Sequence, residues 1–113
     1  MHELSLAGGI LQMLEQTRAR DPFKRVMQLR LEAGALSGVD SSALRFALES
    51  IAPGTCLENA IIEIEEPAAL AWCPHCSQSV QIQSRIDPCP LCAGFQLQVT
   101  SGSELRIMDL QVV

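Results

Sequence analysis

The apolar positions change period several times along the chain, and each change marks an element. Over residues 3–19, Leu4, Ala7, Leu11 and Leu14 recur at helical spacing, with Ile10 widening the stripe, which predicts an amphipathic helix. Gly8 and Gly9 sit inside it. Each weakens a helix by about 1 kcal/mol relative to Ala, so the pair predicts close packing or a bend. Asp21-Pro22 ends the segment. The period then drops to two. Met27, Leu29, Leu31 and Ala33 alternate with Gln28, Arg30 and Glu32, as in a strand buried on one face. Residues 34–38 read as a loop. Asp40 or Ser41 is placed to cap a second helix, with Leu44, Ala47, Leu48 and Ile51 on its buried side and Pro53-Gly54 at its end. Residues 60–66 return to alternation, Ile62 and Ile64 against Glu63 and Glu65, and Pro67 closes the strand.

The pattern fails over residues 69–94, which are poor in aliphatic side chains and hold four of the five Cys, three of the six Pro and the single Trp. Such a stretch buries too little apolar surface to hold itself together. Alternation resumes at Phe95, Leu97 and Val99, turns at Ser101-Gly102, and ends in a strand over 104–112. There Asp109 interrupts the Leu105, Ile107 face, as a bulge would. The expected fold is therefore α+β: a small mixed sheet with two helices, plus an inserted zinc-ribbon module built on four cysteines. Residues 1–68 form one domain, completed by a C-terminal strand at 103–113, and residues 69–102 form the other.

Composition narrows the function. The chain has 113 residues, 48% hydrophobic and 19% charged, with a formal net charge of −5. Its eight Lys and Arg form no run beyond a pair, and one Trp, three Phe and no Tyr leave little for base stacking, which argues against nucleic acid as a partner. No apolar run approaches the length of a membrane span, and Glu3 precedes any Lys or Arg, unlike a secretory leader. A cytoplasmic setting follows, where thiols stay reduced and five Cys need a reason other than disulfides.

Spacing supplies that reason. Cys73-Pro74-His75-Cys76 is followed, after residues 77–88, by Cys89-Pro90-Leu91-Cys92. Two residues between cysteines make a tight knuckle that turns both sulfurs toward one ion, and four thiolates suit tetrahedral Zn²⁺. Iron also accepts four thiolates, so the residues alone leave that reading open. A dithiol redox pair fits poorly, because neither CxxC opens a helix after a strand. A closed four-thiolate shell is structural. His75, inside the knuckle, is expected to face solvent or donate a hydrogen bond to the site, and Cys56 to be a small buried residue. No nucleophile–base set and no phosphate-cradling loop is present, so no enzyme is expected.

The start of the chain, Met1-His2-Glu3, offers an α-amine, backbone amides and an imidazole within reach of one ion. Planar nitrogen ligation of this kind selects Ni(II) or Cu(II) over Zn²⁺. His is bulky at the second position, so Met1 is expected to be retained. Alone, the tripeptide is as consistent with an exposed polar terminus.

Taken together, MHELSL, RLEAGALSGVD at 30–40, ALRFALE at 43–49, IEIEEPAALAWC at 62–73, DPCPLC at 87–92 and ELRIMDLQVV at 104–113 closely resemble the HypA/HybF family of hydrogenase-maturation nickel chaperones. The resemblance covers essentially the whole chain. It implies nickel at His2 with Met1 and Glu3 in support, and zinc at Cys73, Cys76, Cys89 and Cys92. It also implies delivery of nickel, with a HypB-type GTPase, into the [NiFe]-hydrogenase large subunit precursor; some members serve urease. Ala7-Gly8-Gly9 departs from relatives that carry a more helix-favouring stretch such as Cys-Gln-Ser. The competing reading is a zinc-ribbon adaptor that carries no nickel.

Overall fold

The computed structural model describes residues 2–113. The order of elements is α1 (His2–Arg20), β1 (Val26–Ala33), α2 (Ser41–Ile51), β2 (Ile61–Glu65), β3 (Ala69–Cys73), β4 (Gln78–Ile82), β5 (Gln98–Ser101) and β6 (Leu105–Val112). They form two three-stranded sheets, β2-β1-β6 and β4-β3-β5. The C-terminal strand thus joins the sheet begun near the N-terminus. The chain divides into two compact units. One comprises residues 1–31, 39–64 and 107–113, the other residues 32–38 and 65–106.

The first unit is built on α1 and α2. On α1 the core face is Ala7, Ile10 and Leu14; on α2 it is Leu44, Ala47 and Leu48. Leu4, expected in the stripe, is 46% exposed. Gly8 and Gly9 are neither packed nor at a break. The helix is continuous through them, and a Cβ added at either would meet nothing within 4 Å. Asp40 takes the N-cap of α2: its backbone is extended and its side chain accepts a hydrogen bond from the Ala43 N–H at 3.1 Å.

Strand β1 slips once in its alternation. Val26 and Leu29 are both buried, and only from Leu29 does the regular series Leu29, Leu31, Ala33 begin. Met27 is consequently half exposed, and Val26 takes the core place that the alternation assigns to Met27. On the open side, Arg30 pairs with Asp109 at 2.6 Å and with Glu63 at 3.7 Å, so the carboxylate that interrupts the alternation of β6 is matched to a guanidinium on β1.

The second unit has its own small core. Ala69, Ala71 and Cys73 of β3 meet Val80 and Ile82 of β4 and Cys89, with Leu36, Leu97 and Val99 against them. β3 and β4 form an antiparallel hairpin, with Ala69 opposite Ile82 and Cys73 opposite Gln78. The alternation does not predict this hairpin: its strands are only five residues each, and two of their five inward positions are alanines. Phe95, expected inside a strand, lies before β5 and is 75% exposed. Gly102 is required by geometry. Its φ is +100°, and an added Cβ would lie 2.7 Å from that of Ala69. Its carbonyl accepts from the Leu36 N–H at 2.8 Å, while the Gly34 N–H donates to Glu104 and the Ala35 N–H to Pro67. Arg106 and Glu32 make a further ion pair in this unit.

Candidate functional site

Two groups of side chains carry metal-binding chemistry, and they differ in every physical respect. The first is the thiol cluster. Cys73 ends β3, Cys76 closes the turn into β4, and Cys89 and Cys92 lie on the loop between β4 and β5. Their four sulfurs all lie within 4.8 Å of one another. Cys73 Sγ is 3.7 Å from Cys92 Sγ, and Cys76 Sγ is 4.0 Å from Cys89 Sγ. Sulfurs bound tetrahedrally at ~2.3 Å around one Zn²⁺ stand about 3.8 Å apart, so the four thiols fit the ion. The separations are far too long for disulfides.

The two knuckles are made alike. The Cys76 N–H points at Cys73 Sγ (3.5 Å) and the Leu91 N–H at Cys89 Sγ (3.4 Å), donors that favour thiolates over thiols. Ser77 and Ala93, each one residue past a knuckle, take positive φ of 50° and 61° to complete the turns. Burial pushes the Cys76 thiol up to about 12, reinforced by hydrogen bonds with the other three. Burial also opposes ionisation of Cys89, but amides of Cys92 and Leu91 and the neighbouring thiols outweigh it and bring that group down to about 7. Without a cation, four such sulfurs therefore resist carrying charge together; a divalent ion removes that conflict. His75 is exposed and lies outside the cluster, and Cys56 is 1% exposed in the other unit.

The second group is at the start of α1. Met1 lies outside the described residues. The His2 side chain is 65% exposed, with its Nδ1 3.7 Å from the Glu3 carboxylate, whose side chain is only 18% exposed. Glu3 Oε2 accepts from the Asp40 N–H at 3.2 Å. That bond, with its own backbone amide and the nearby His2, holds the Glu3 carboxyl below its ordinary value. Asp40 thus serves twice: its carboxylate caps α2 and its N–H anchors Glu3. Sequence reasoning found only the cap. Nothing local to either residue announces a contact across 37 positions.

The first turn of α1 is chemically suited to nitrogen ligation. The first four N–H groups of a helix have no intrahelical acceptor, so the amides of His2 and Glu3 can act as ligands without breaking a helical hydrogen bond. The positive end of the helix dipole opposes a cation there by roughly 0.3–1 kcal/mol, and the Glu3 carboxylate offsets it.

Comparison with known proteins places the whole chain in one family. Residues 1–112 match the family described as hydrogenase/urease nickel incorporation, metallochaperone, hypA. The chain is 61% identical to the hydrogenase maturation factor HypA of Cupriavidus necator over 112 residues, covering 99% of this chain and 94% of that protein. It is 55% identical to the HypA of Polaromonas naphthalenivorans, covering 99% and 97%. In fold it is similar to the solution structure of the Ni metallochaperone HypA from Helicobacter pylori, with a TM-score of 0.68 at 19% identity over 98% of this chain and 97% of that one.

Proposed function

The chain belongs to the HypA family of hydrogenase-maturation nickel metallochaperones, and on that premise we propose that it takes up Ni(II) at its amino terminus and delivers it during maturation of [NiFe]-hydrogenase. The observation that carries the reading is the exposed His2 imidazole beside the anchored Glu3 carboxylate, on a helix turn whose amides are free of helical bonds. The ligands are the α-amine of Met1, the imidazole and amide of His2, and the amide or carboxylate of Glu3. In this reading Cys73, Cys76, Cys89 and Cys92 hold a structural Zn(II), whose closed thiolate shell leaves no position for exchange. The asymmetry is what delivery needs: an ion in a buried sulfur cage stays, and an ion on an open terminus leaves. The receiving partners are a HypB-type GTPase and the hydrogenase large subunit precursor, and the setting is the cytoplasm. Among the described residues no helix is long and apolar enough to cross a membrane.

Calorimetric titration of Ni(II) into protein with its native first residue tests this. His2→Ala is expected to lose tight nickel binding and keep its zinc, and one residue added before Met1 is expected to weaken binding at least tenfold. Unchanged affinity in both variants would overturn the terminal site, and zinc alone after nickel exposure would favour the adaptor. Ligation needs deprotonated nitrogens, so affinity falls as pH drops from about 8 to about 6; a flat profile would contradict it.

A further inference from the structure

Two three-stranded sheets have four edge strands, and an edge left bare is a template for another chain to pair with. Three of the four are guarded. β2 carries Glu63 and Glu65, is followed by Pro67, and has its Ile62 carbonyl taken by the Arg45 guanidinium. β6 carries Arg106 and Asp109. β5 is four residues long, and its pairing with β3 shifts register between Leu70 and Ala71. β4, Gln78-Ser79-Val80-Gln81-Ile82, has none of these devices: no charge, no Pro and an unbroken register with β3. Only alternate residues of an antiparallel strand bond to its neighbour, so half of the β4 backbone groups point outward. Among the described residues these outward groups have no protein partner.

The side chains around this edge are uncharged. β3, β4 and β5 hold no charged residue, in a chain that is 19% charged. The nearest charges along the chain from β4, Arg85 and Asp87, lie past its end, and Asp87 is engaged by the Gln83 and Ser84 N–H groups. Val80 and Ile82 point into the small core. On the other face β3 presents Leu70 and Trp72, 40% and 39% exposed, opposite Gln81 and Ser79 of β4. Ser79 is too small to cover the indole beside it. Strands lie ~4.8 Å apart, so residues flanking Ser79 on either side stand about 10 Å apart, and two large side chains leaning together over a serine close that gap.

We propose that β4 is a strand-addition site for an extended, uncharged segment of a partner polypeptide that carries a large apolar side chain opposite Ser79. The backbone of the segment pairs with the outward groups of β4, its large side chain lies over Ser79 against Trp72, and its other face extends the row of Val80 and Ile82. The neutral strands select this occupant. A charged side chain finds no counter-charge on β3, β4 or β5, and the phosphates of nucleic acid or anionic lipid find no cation there. A second copy of β4 has only Ser79 and Gln81 to set against Ser79, so it leaves the indole uncovered. The proposal does not rest on nickel binding.

Trp72 is the single Trp of the chain, so its fluorescence reports the site directly. The test titrates the full-length protein with the peptide acetyl-Ser-Thr-Val-Phe-Val-Thr-Ser-amide and with a counterpart in which Pro replaces both Val, which keeps the Phe and removes two backbone donors. The first peptide is expected to shift the Trp72 emission to shorter wavelength and, by NMR, to slow hydrogen exchange at alternate amides within residues 78–82. The Pro counterpart is expected to bind at least tenfold more weakly. Ser79→Lys is expected to weaken binding of the first peptide at least tenfold; the position is exposed, so the fold is kept, and amide shifts away from β4 and the nickel titration are expected to be unchanged. No exchange protection in β4 at millimolar peptide, equal binding of both peptides, or protection of β4 that appears on raising the protein concentration without peptide would each overturn the proposal.

Discussion

At the residue scale, three positions show how a side chain's value is set by what lies around it. Gly8 and Gly9 lie mid-helix with open space where a Cβ would be, so nothing in the fold calls for glycine. Gly8→Ala and Gly9→Ala are therefore expected to stabilise the protein by about 1 kcal/mol each, read as a higher urea midpoint; a loss of stability would mean the helix is not regular there. Glu15 is the opposite case. Its carboxylate accepts from the Cys56 N–H at 3.3 Å and pairs with Arg18 at 3.3 Å. Burial raises its pKa, but these bonds prevail and the net shift is downward. A depressed folded pKa adds stability that is present above the unfolded value, about 4.3, and is lost as pH falls through the folded one. Glu15→Gln is thus expected to lower the urea midpoint at pH 7 and to match the parent near pH 3. Equal differences at both pH values would contradict the shift.

At the element scale, the long helices and the strands with large aliphatic residues were legible, because burial of one face imposes a period. Ile10 and Leu14 on α1 and Leu44 and Leu48 on α2 are buried as the spacing predicts, and Asp40 caps α2. The β3–β4 hairpin was not legible, since its strands are only five residues each and two of the five inward positions, Ala69 and Ala71, are alanines. Gly102 shows what such a lean element depends on. With φ at +100° and Ala69 against it, Gly102→Ala is expected to destabilise by about 2 kcal/mol or more, checked by denaturant unfolding followed at Trp72 in the neighbouring β3. A midpoint unchanged from the parent would show that the close approach relaxes freely.

At the scale of the whole molecule, the two units differ in how they are held. The first buries Leu14, Leu29, Leu44, Leu48 and Leu57; the second buries alanines, a valine, an isoleucine and two of its cysteines. A core that small needs a further constraint, and structural zinc contributes roughly 10–16 kcal/mol in small peptides. Removal of metal with a strong chelator is expected to abolish amide-exchange protection in β3 and β4 while α1 and α2 keep theirs. Retained protection in the hairpin would show that the thiols alone suffice.

The sequence by itself determined the two helices, the large-residue strands, the CxxC spacing and the family. Each is encoded within a few consecutive residues or in a motif that tolerates little variation. Only the tertiary structure brought the Asp40 amide to Glu3, matched Arg30 with Asp109, closed the four sulfurs to tetrahedral spacing and left Phe46 exposed. Periodicity records which face of an element is buried. It does not record which distant residue lies opposite, because that depends on how the whole chain closes its hydrogen bonds and fills its cores at once.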